Sequence, residues 1–258
     1  MLTAPGKLDG KVVIVTGGAQ GIGEGCARAM AREGARVCIA DVRAAESESA
    51  VASIVQDGGQ CFFQQTDVLD DASIRACVNH AISRYGRLDI LVNNAGTHFP
   101  HTIDELSQER WDFLLDLNLK SMFLFCQAAL PEIRKRQGSI INMSSKTGLV
   151  GQSNAVAYCA SKAGILGLTM GLAKDEAKNR VRVNAICPSN VETPLMNEWI
   201  EKQPDPDGVR RACEMASPLG RMATILEIGA AAVFLASSDA SFITGISLQV
   251  DGGTLLGA

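Results

Sequence analysis

Short apolar runs rich in β-branched residues alternate along this chain with longer stretches whose apolar positions recur at helical spacing. The first run, Lys11 to Thr16 (KVVIVT), has no polar alternation, which predicts a strand buried on both faces, as strands of parallel sheets are. Arg36–Ala40, Cys61–Gln65, Leu88–Val92, Gly138–Ser144, Arg180–Ile186 and Ile246–Val250 read as further strands. Between them, helices are predicted over about Gly21–Glu33 (with Gly34 as its stop), Ala44–Gln56, Asp71–Tyr85, Gln108–Arg136 and Thr224–Ala236. Another helix carries Tyr158 and Lys162, and Pro204-Asp205-Pro206-Asp207-Gly208 divides the region from about Leu195 to Ser217 into two short ones. Strand/helix alternation without internal repeat, low-complexity segment or linker predicts an α/β fold: one doubly wound parallel sheet with right-handed crossovers and helices on both faces. Residues 1–9 read as a flexible lead.

Open α/β sheets place site residues at the carboxyl ends of their strands, so the residues just past each run carry the candidate chemistry. After the first strand comes Thr16-Gly17-Gly18-Ala19-Gln20-Gly21-Ile22-Gly23. The spacing Gly-x-x-x-Gly-x-Gly differs from the wider dinucleotide fingerprint, but the physics is shared. Glycines let the backbone approach a pyrophosphate, and the helix N-terminus offers donors and a positive dipole end. A tight turn alone would use the same glycines. Asp41 ends the second strand at a spacing from the glycines that suits a ribose-binding carboxylate, and it would repel a 2′-phosphate. Ser145 comes just after the fifth strand. Tyr158 and Lys162 lie four apart and so share one helix face. A phenol ordinarily ionises near pH ~10, and an ammonium beside it would lower that value toward the range of acid/base work. By itself, a tyrosine and a lysine on a half-exposed helix would look the same.

Taken in order, Thr16–Gly23, Asn93-Asn94-Ala95-Gly96, Leu117-Asn118-Leu119, Ser145 and Tyr158-Cys159-Ala160-Ser161-Lys162 resemble the short-chain dehydrogenase/reductase family in its short single-domain branch. The resemblance runs from about Leu8 to the C-terminus, and the joint pattern is highly specific. It implies one domain over residues 1–258, strand order 3-2-1-4-5-6-7, and an NAD-dependent oxidoreductase acting on CH–OH groups. By that resemblance the catalytic set is Asn118, Ser145, Tyr158 and Lys162. Tyr158 exchanges the proton, Lys162 lowers its pKa and bonds the nicotinamide ribose, and Ser145 holds the substrate oxygen. Asn118 sits in a kinked backbone and holds a water that connects to Lys162. The implied cofactor residues are Gly17, Gln20, Gly21, Ile22, Gly23, Asp41 and Arg43, then Asp67 and Val68 against the adenine, and Asn94, Ala95 and Gly96 along the cofactor. Tyr158, Lys162, Pro188, Val191 and Thr193 complete the set at the nicotinamide end. Val42 and Gln20 stand where NADP-preferring relatives often carry a basic residue, which favours NAD, while Arg43 leaves secondary use of NADP open. The family usually has Pro-Gly where this chain has Pro188-Ser189, and a glycine there can use φ values closed to serine.

Gly148–Tyr158, Asn190–Leu195 and Ser217–Met222 resemble one branch in particular, whose members are described as L-fucose dehydrogenases and as 17β-hydroxysteroid dehydrogenases. The candidate substrate residues are His98, Ser145, Gln152, Ser153, Tyr158, Asn190 and Glu192, with Trp199 over the apolar face of a sugar. Each buried sugar hydroxyl needs a partner, so this polar set suits a sugar, and the branch resemblance implies an aldose of the L-fucose type, oxidised at its anomeric carbon to a lactone. The alternatives are a reductase for hydroxysteroids, other hydrophobic ketones or acyl thioesters, which would favour an apolar cleft, and a non-catalytic nucleotide sensor, a class that usually lacks the Tyr or Lys. Residues from about 190 to 217 are expected to cover the substrate.

Composition narrows the picture further. The chain has 258 residues, 47% hydrophobic and 20% charged, which is enough to bury a sizeable core. The net charge of −4 and the lack of a Lys/Arg cluster argue against a nucleic-acid partner. No apolar run reaches the ~18 residues of a membrane span, and Met1–Gly10 lacks the apolar core of a signal peptide. A cytoplasmic enzyme with no membrane partner is expected. The eight cysteines form no Cys-x-x-Cys pair and read as free core thiols. His98 and His101 flank Pro100 without a third ligand, so no metal is expected. Apolar stretches such as Met122–Phe125 and Ile165–Leu168 exceed what one sheet face would cover, and a homotetramer is expected to bury the excess.

Overall fold

Val12–Thr16 (β1), Arg36–Asp41 (β2), Gln60–Gln65 (β3), Ile90–Asn93 (β4), Ser139–Met143 (β5), Arg182–Pro188 (β6) and Ser247–Val250 (β7) form one parallel sheet in the order β3-β2-β1-β4-β5-β6-β7. The structure, a computed structural model, describes residues 5–256. The strand order is the expected one. Side chains of β1 alternate between two cores. Val13 and Val15 join Val37, Ile39, Val92 and Ile141 under α1 (Gly21–Arg32), α2 (Ala44–Gln56) and α9 (Ile225–Ala236). Val12 and Ile14 join Cys38, Leu91, Ile140 and Val183 under α3 (Asp71–Tyr85), α5 (Ser121–Arg136) and α6 (Val156–Glu176). Both faces are thus covered, which is why these strands carry no polar alternation. Each fully buried Val or Ile contributes about 1.5–3 kcal/mol through removal from water.

At the amino-terminal edge of the sheet, buried Asp89 ties three strands together. Its carboxylate accepts from Val12 N at 2.9 Å and from the Arg87 fork at 2.7 and 2.5 Å, and its carbonyl accepts from Ser139 N. The opposite edge is left for the site.

Three expectations change. The predicted helix from Gln108 to Arg136 is two helices, α4 (Gln108–Leu115) and α5, joined through a π-turn at Asp116–Lys120. The expected lead is anchored where it is described. Leu8 is buried and bonds through its N–H to Glu33 O, and Lys7 pairs with Asp239 at 2.6 Å; residues 1–4 lie outside the described residues. Finally, two helical stretches, Gln108–Arg136 and Val156–Asn179, are long and apolar enough by composition to cross a membrane, each with a mean hydropathy of 1.3. Their apolarity has a local cause, since α5 and α6 pack one face on the sheet. The region after β6 folds as expected into two short helices, α7 (Pro194–Glu201) and α8 (Pro206–Met215), capped by Thr193 and Asp205.

Helices α1 and α9 touch through glycine. A Cβ on Gly25 would stand 2.3 Å from Ile225 O, and one on Gly229 would stand 2.5 Å from Gly25 O. On an isolated helix, Gly→Ala stabilises by about 1 kcal/mol. Here the sign should reverse: Gly25→Ala should lower the unfolding free energy by about 1–3 kcal/mol through overpacking, measured by urea denaturation, and a stabilised variant would refute the close approach.

Candidate active site

The glycine turn after β1 is stitched to the segment after β4. Thr16 Oγ1 accepts from Asn94 N at 2.9 Å and Ala95 N at 3.0 Å, and Asn94 Nδ2 donates to Thr16 O and Gly17 O. Gly17 has φ 62°, and a Cβ there would lie 2.9 Å from Ala95 Cα, so only glycine permits this approach. Gly23 supports the turn from beneath, where a Cβ would stand 2.1 Å from Gly17 O. Above the turn runs a cleft of about 500 Å³ along the carboxyl edge of the sheet. Gly17, Gln20, Gly21, Ile22, Asp41, Arg43, Asp67, Val68, Asn94, Ala95, Gly96, His98, Tyr158, Lys162 and Thr193 all line it.

Ser145 lies two residues past the end of β5. Its Oγ accepts from Thr147 N at 3.2 Å. One turn further along α6, Lys162 is buried, donates from Nζ to Met143 O at 2.9 Å, and lies over the Tyr158 ring at 5.5 Å from its centroid. Asn118, in the π-turn, is fully buried. Its Oδ1 accepts from Thr97 N at 2.9 Å, and its Nδ2 donates to Thr97 O and to Ser161 Oγ. Ser161 in turn donates to Tyr158 O. Asn118, Tyr158 and Lys162 therefore belong to one connected region, and Ser145 follows the strand whose last carbonyl holds Lys162.

The electrostatics differ from the expectation drawn from spacing. The phenol is not lowered: burial pushes Tyr158 up to about 12, with the Ser145 hydroxyl pulling the other way. Burial also pulls Lys162 down to about 8, with Cys187 nearby opposing it. The lysine ammonium is spent on a carbonyl and a ring face, so desolvation governs both groups.

Fewer of the expected substrate residues meet. His98 lines the cleft with its ring 4.4 Å from that of Tyr158, its Nδ1 shielded and without a partner, and its pKa lowered by burial, then by His101 and Lys162. Gln152 and Ser153 are exposed on the loop before α6. Asn190 turns away to donate to Cys213 O at 2.9 Å and borders a second cavity of about 490 Å³. Glu192 is exposed and faces Arg210 at 3.9 Å, and Trp199 is exposed on α7. Pro188 and Val191 are buried behind the cleft rather than on it. Polar loop side chains found partners of their own, a choice that spacing does not reveal. Missed from sequence were Thr16, Thr97 and Ser161, which fasten the site, and Phe113, Leu117 and Leu195, which give its mouth an apolar wall. Among the described residues no group of three or more His, Cys, Asp or Glu could hold a metal.

A family model described as enoyl-(acyl carrier protein) reductase matches residues 17–254. L-fucose dehydrogenase of Oryctolagus cuniculus is 44% identical over 250 residues, covering 96% of this chain and 86% of that protein. Oxidoreductase UcpA of Salmonella typhimurium is 43% identical, covering 97% of each. The chain is a short-chain dehydrogenase/reductase. Among solved structures of similar fold, that of Cj0485 dehydrogenase superimposes with a TM-score of 0.91 at 37% identity, covering 96% of this chain and 95% of that one.

As a member of this family the enzyme is an oxidoreductase of CH–OH groups with a nicotinamide cofactor. The cleft fits such a group. Gln20 leaves the first turn of α1 without a side-chain cap, and a Cβ on Gly21 would meet only the Thr193 side chain, at 3.4 Å. Open amides beside bare backbone suit a pyrophosphate.

With Lys162 at about 8 and Tyr158 at about 12, the first proton leaves the pair near pH 8. Alcohol oxidation needs the pair short of that proton, so its kcat should rise with pH up to about 8 and then level, and carbonyl reduction should run the opposite way. Lys162→Arg, with a guanidinium that keeps its proton, should move the break upward. Tyr158→Phe should fold normally and lose at least about 10²–10⁴ in turnover. A flat pH profile in wild type, or near-normal turnover in Tyr158→Phe, would refute this assignment.

Proposed function

We propose that this enzyme oxidises a free aldose of the L-fucose type at its anomeric carbon, giving a lactone, with NAD as the preferred acceptor. The observation that supports the reading is that Tyr158 and Lys162 line one cleft, with Ser145 just past the end of β5, in a chain whose relatives include L-fucose dehydrogenases. When bound, the nicotinamide ring supplies the hydride acceptor. Tyr158 Oη takes the proton of the anomeric hydroxyl, Ser145 Oγ holds the same oxygen as charge builds on it, and Lys162 keeps the phenol's proton balance. His98, its pKa lowered by burial, would offer Nε2 to a second hydroxyl. Asn118 fixes the backbone of Thr97 and, through Ser161, the start of α6.

The dinucleotide would lie against Gly17, Gln20, Gly21 and Ile22 at its pyrophosphate, Asp41, Arg43, Asp67 and Val68 at its adenosine, and Asn94, Ala95, Gly96, Lys162 and Thr193 toward the nicotinamide. Pro188, Val191 and Gly23 would act from behind as backbone supports. Residues 190–217 form the cover, and Gln152, Ser153, Asn190, Glu192 and Trp199 would reach a sugar only if α7, α8 and the loop before α6 close over it. A cytoplasmic location fits the free thiol state of all eight cysteines.

A second reading has its own observation. Phe113, Leu117 and Leu195 line the cleft, with Phe99 stacked on Phe113 at 6.1 Å. That wall favours a hydrophobic ketone or acyl thioester. A spectrophotometric screen separates the two. L-fucose and sugars sharing its ring hydroxyl pattern should reduce NAD well above simple secondary alcohols, and NAD should show a higher kcat/KM than NADP. Turnover of steroids or aliphatic ketones with every aldose ignored would transfer the assignment to the second reading.

We also infer a homotetramer. Phe123 and Met170 stay exposed on α5 and α6, beside an apolar groove between Leu119 and Leu168. A second copy of the same face would cover them. Light scattering at micromolar concentration should return four times the chain's 27.3 kDa, and a monomer mass would contradict it.

A further inference from the structure

The last strand ends beside the root of the cover. Where β6 pairs with β7, Pro188 stands opposite Val250, so Ser189 comes level with Asp251. Residues 251–256 then wind into a turn that Asp251 holds. Its carboxylate accepts from Gly253 N at 3.0 Å and from Leu255 N at 3.1 Å. Its carbonyl accepts from Thr254 N at 3.1 Å and from the Thr254 hydroxyl at 2.7 Å.

Both ends of the cover are fastened to this one turn. At the start, Ser189 Oγ and Thr254 Oγ1 hydrogen-bond at 3.0 Å. At the far end, Ser217 Oγ donates to Gly252 O at 2.9 Å, and Leu219 N donates to the same carbonyl at 3.3 Å. The packing there is close, since a Cβ on Gly252 would stand 2.1 Å from Ser217 Oγ. The root is also paired through main chain alone: Ala223 N donates to Asn190 O at 3.0 Å, and Glu192 N to Ala223 O at 2.8 Å. Between these anchors the chain is held lightly. Helix α7 buries only Ile200, and α8 buries no residue. Yet Thr193, Pro194 and Leu195, at the start of the cover, line the cleft. Their position depends on how firmly the root is tied.

We infer that Ser189 and Thr254 are positioning residues: their hydroxyl pair ties the start of residues 190–217 to the turn that also holds its end, and so fixes Thr193, Pro194 and Leu195 at the cleft. This deepens the reading above and rests on its assignment of residues 190–217 as the cover. Serine supplies the tie where the family usually has glycine, which has no side chain to make it. Without the tie, a substrate would have to order a looser cover as it binds, and affinity would be lost to that ordering.

The test is amide hydrogen exchange on the purified full chain, free of nucleotide and sugar, for Ser189→Ala, Thr254→Val and the double variant. Neither position has a positive φ, so neither replacement strains the backbone. Each single variant should speed exchange in α7 by about fivefold, the scale of one hydrogen bond, while amides of β1, β4 and β5 keep their wild-type rates. Because both changes break the same bond, the double variant should exchange no faster than Thr254→Val alone. With NAD and L-fucose as the probe pair, the KM of the sugar should rise by a similar factor and kcat should hold, since the catalytic groups are untouched. Unchanged exchange in α7, a rise spread evenly over the sheet, single effects that simply add, or a fall in kcat at constant KM would each overturn the inference. If wild type leaves L-fucose unoxidised, the aldose reading falls on its own, and the exchange rates still decide the role of the tie.

Discussion

A buried amide holds this site together. Asn118 is wholly enclosed, and an amide group left without partners there would cost about 1–3 kcal/mol for each unmet donor or acceptor. Its oxygen and nitrogen clamp both backbone groups of Thr97, and the nitrogen reaches Ser161 as well. To reach both, the helix that bears it departs from regular α geometry into a π-turn, as such turns often do at functional positions. Gly96 makes the approach possible, since a Cβ there would stand 2.9 Å from Asn118 Oδ1. One side chain thereby fixes the segment after β4 against the first turns of α6. Everything the catalytic groups do depends on those two elements keeping their distance.

Around that clamp the reactive pair is tuned by burial more than by charge. Lys162 has lost most of its water and kept one carbonyl, Met143 O, which explains its fall to about 8. Ser144 donates to Lys162 O, so the strand end that receives the ammonium also anchors the helix that presents it. Tyr158, wedged between His98 and the lysine stem, has no ionic partner strong enough to offset its own desolvation. With the phenol kept protonated and the lysine lowered to about 8, Lys162 is the first of the two to give up a proton.

The strands were legible in the sequence because unbroken apolar runs mark doubly covered strands, and the nearness of Tyr158 to Lys162 because a four-residue spacing marks a shared helix face; the strand order and the roles expected of Asn118 and Ser145 came from the family resemblance. The π-turn was not separable from its neighbours, because α4 and α5 keep one continuous helical pattern across Asp116–Lys120. The substrate set was legible only as residue types. Asn190 bonds Cys213 and Glu192 faces Arg210, partners far along the chain whose positions depend on how α7 and α8 fold back. The Asp41–Arg43 pair was the opposite case. Two residues apart at a strand end, it was close enough to be read, yet spacing presents the carboxylate and the arginine as separate influences rather than as one closed fork.

The closed fork also bears on how the cleft handles a dianionic ligand. The chain is net negative, and the two lysine or arginine cations on the cleft stand at opposite ends of it, one closed on a carboxylate and one partly neutralised by burial. Between them, among the described residues, no other lysine or arginine lines the cleft. A pyrophosphate there would depend on main-chain amides. The first turn of α1 is built for that: Gln20 lends it no side-chain cap, and Glu24, whose charge would otherwise compete for the helix N-terminus, is held by Arg28 at 2.8 Å. Backbone donors cannot swing away or be titrated. The affinity they provide is common to every dinucleotide, which leaves the side chains at the two ends to decide which one binds and what it reacts with.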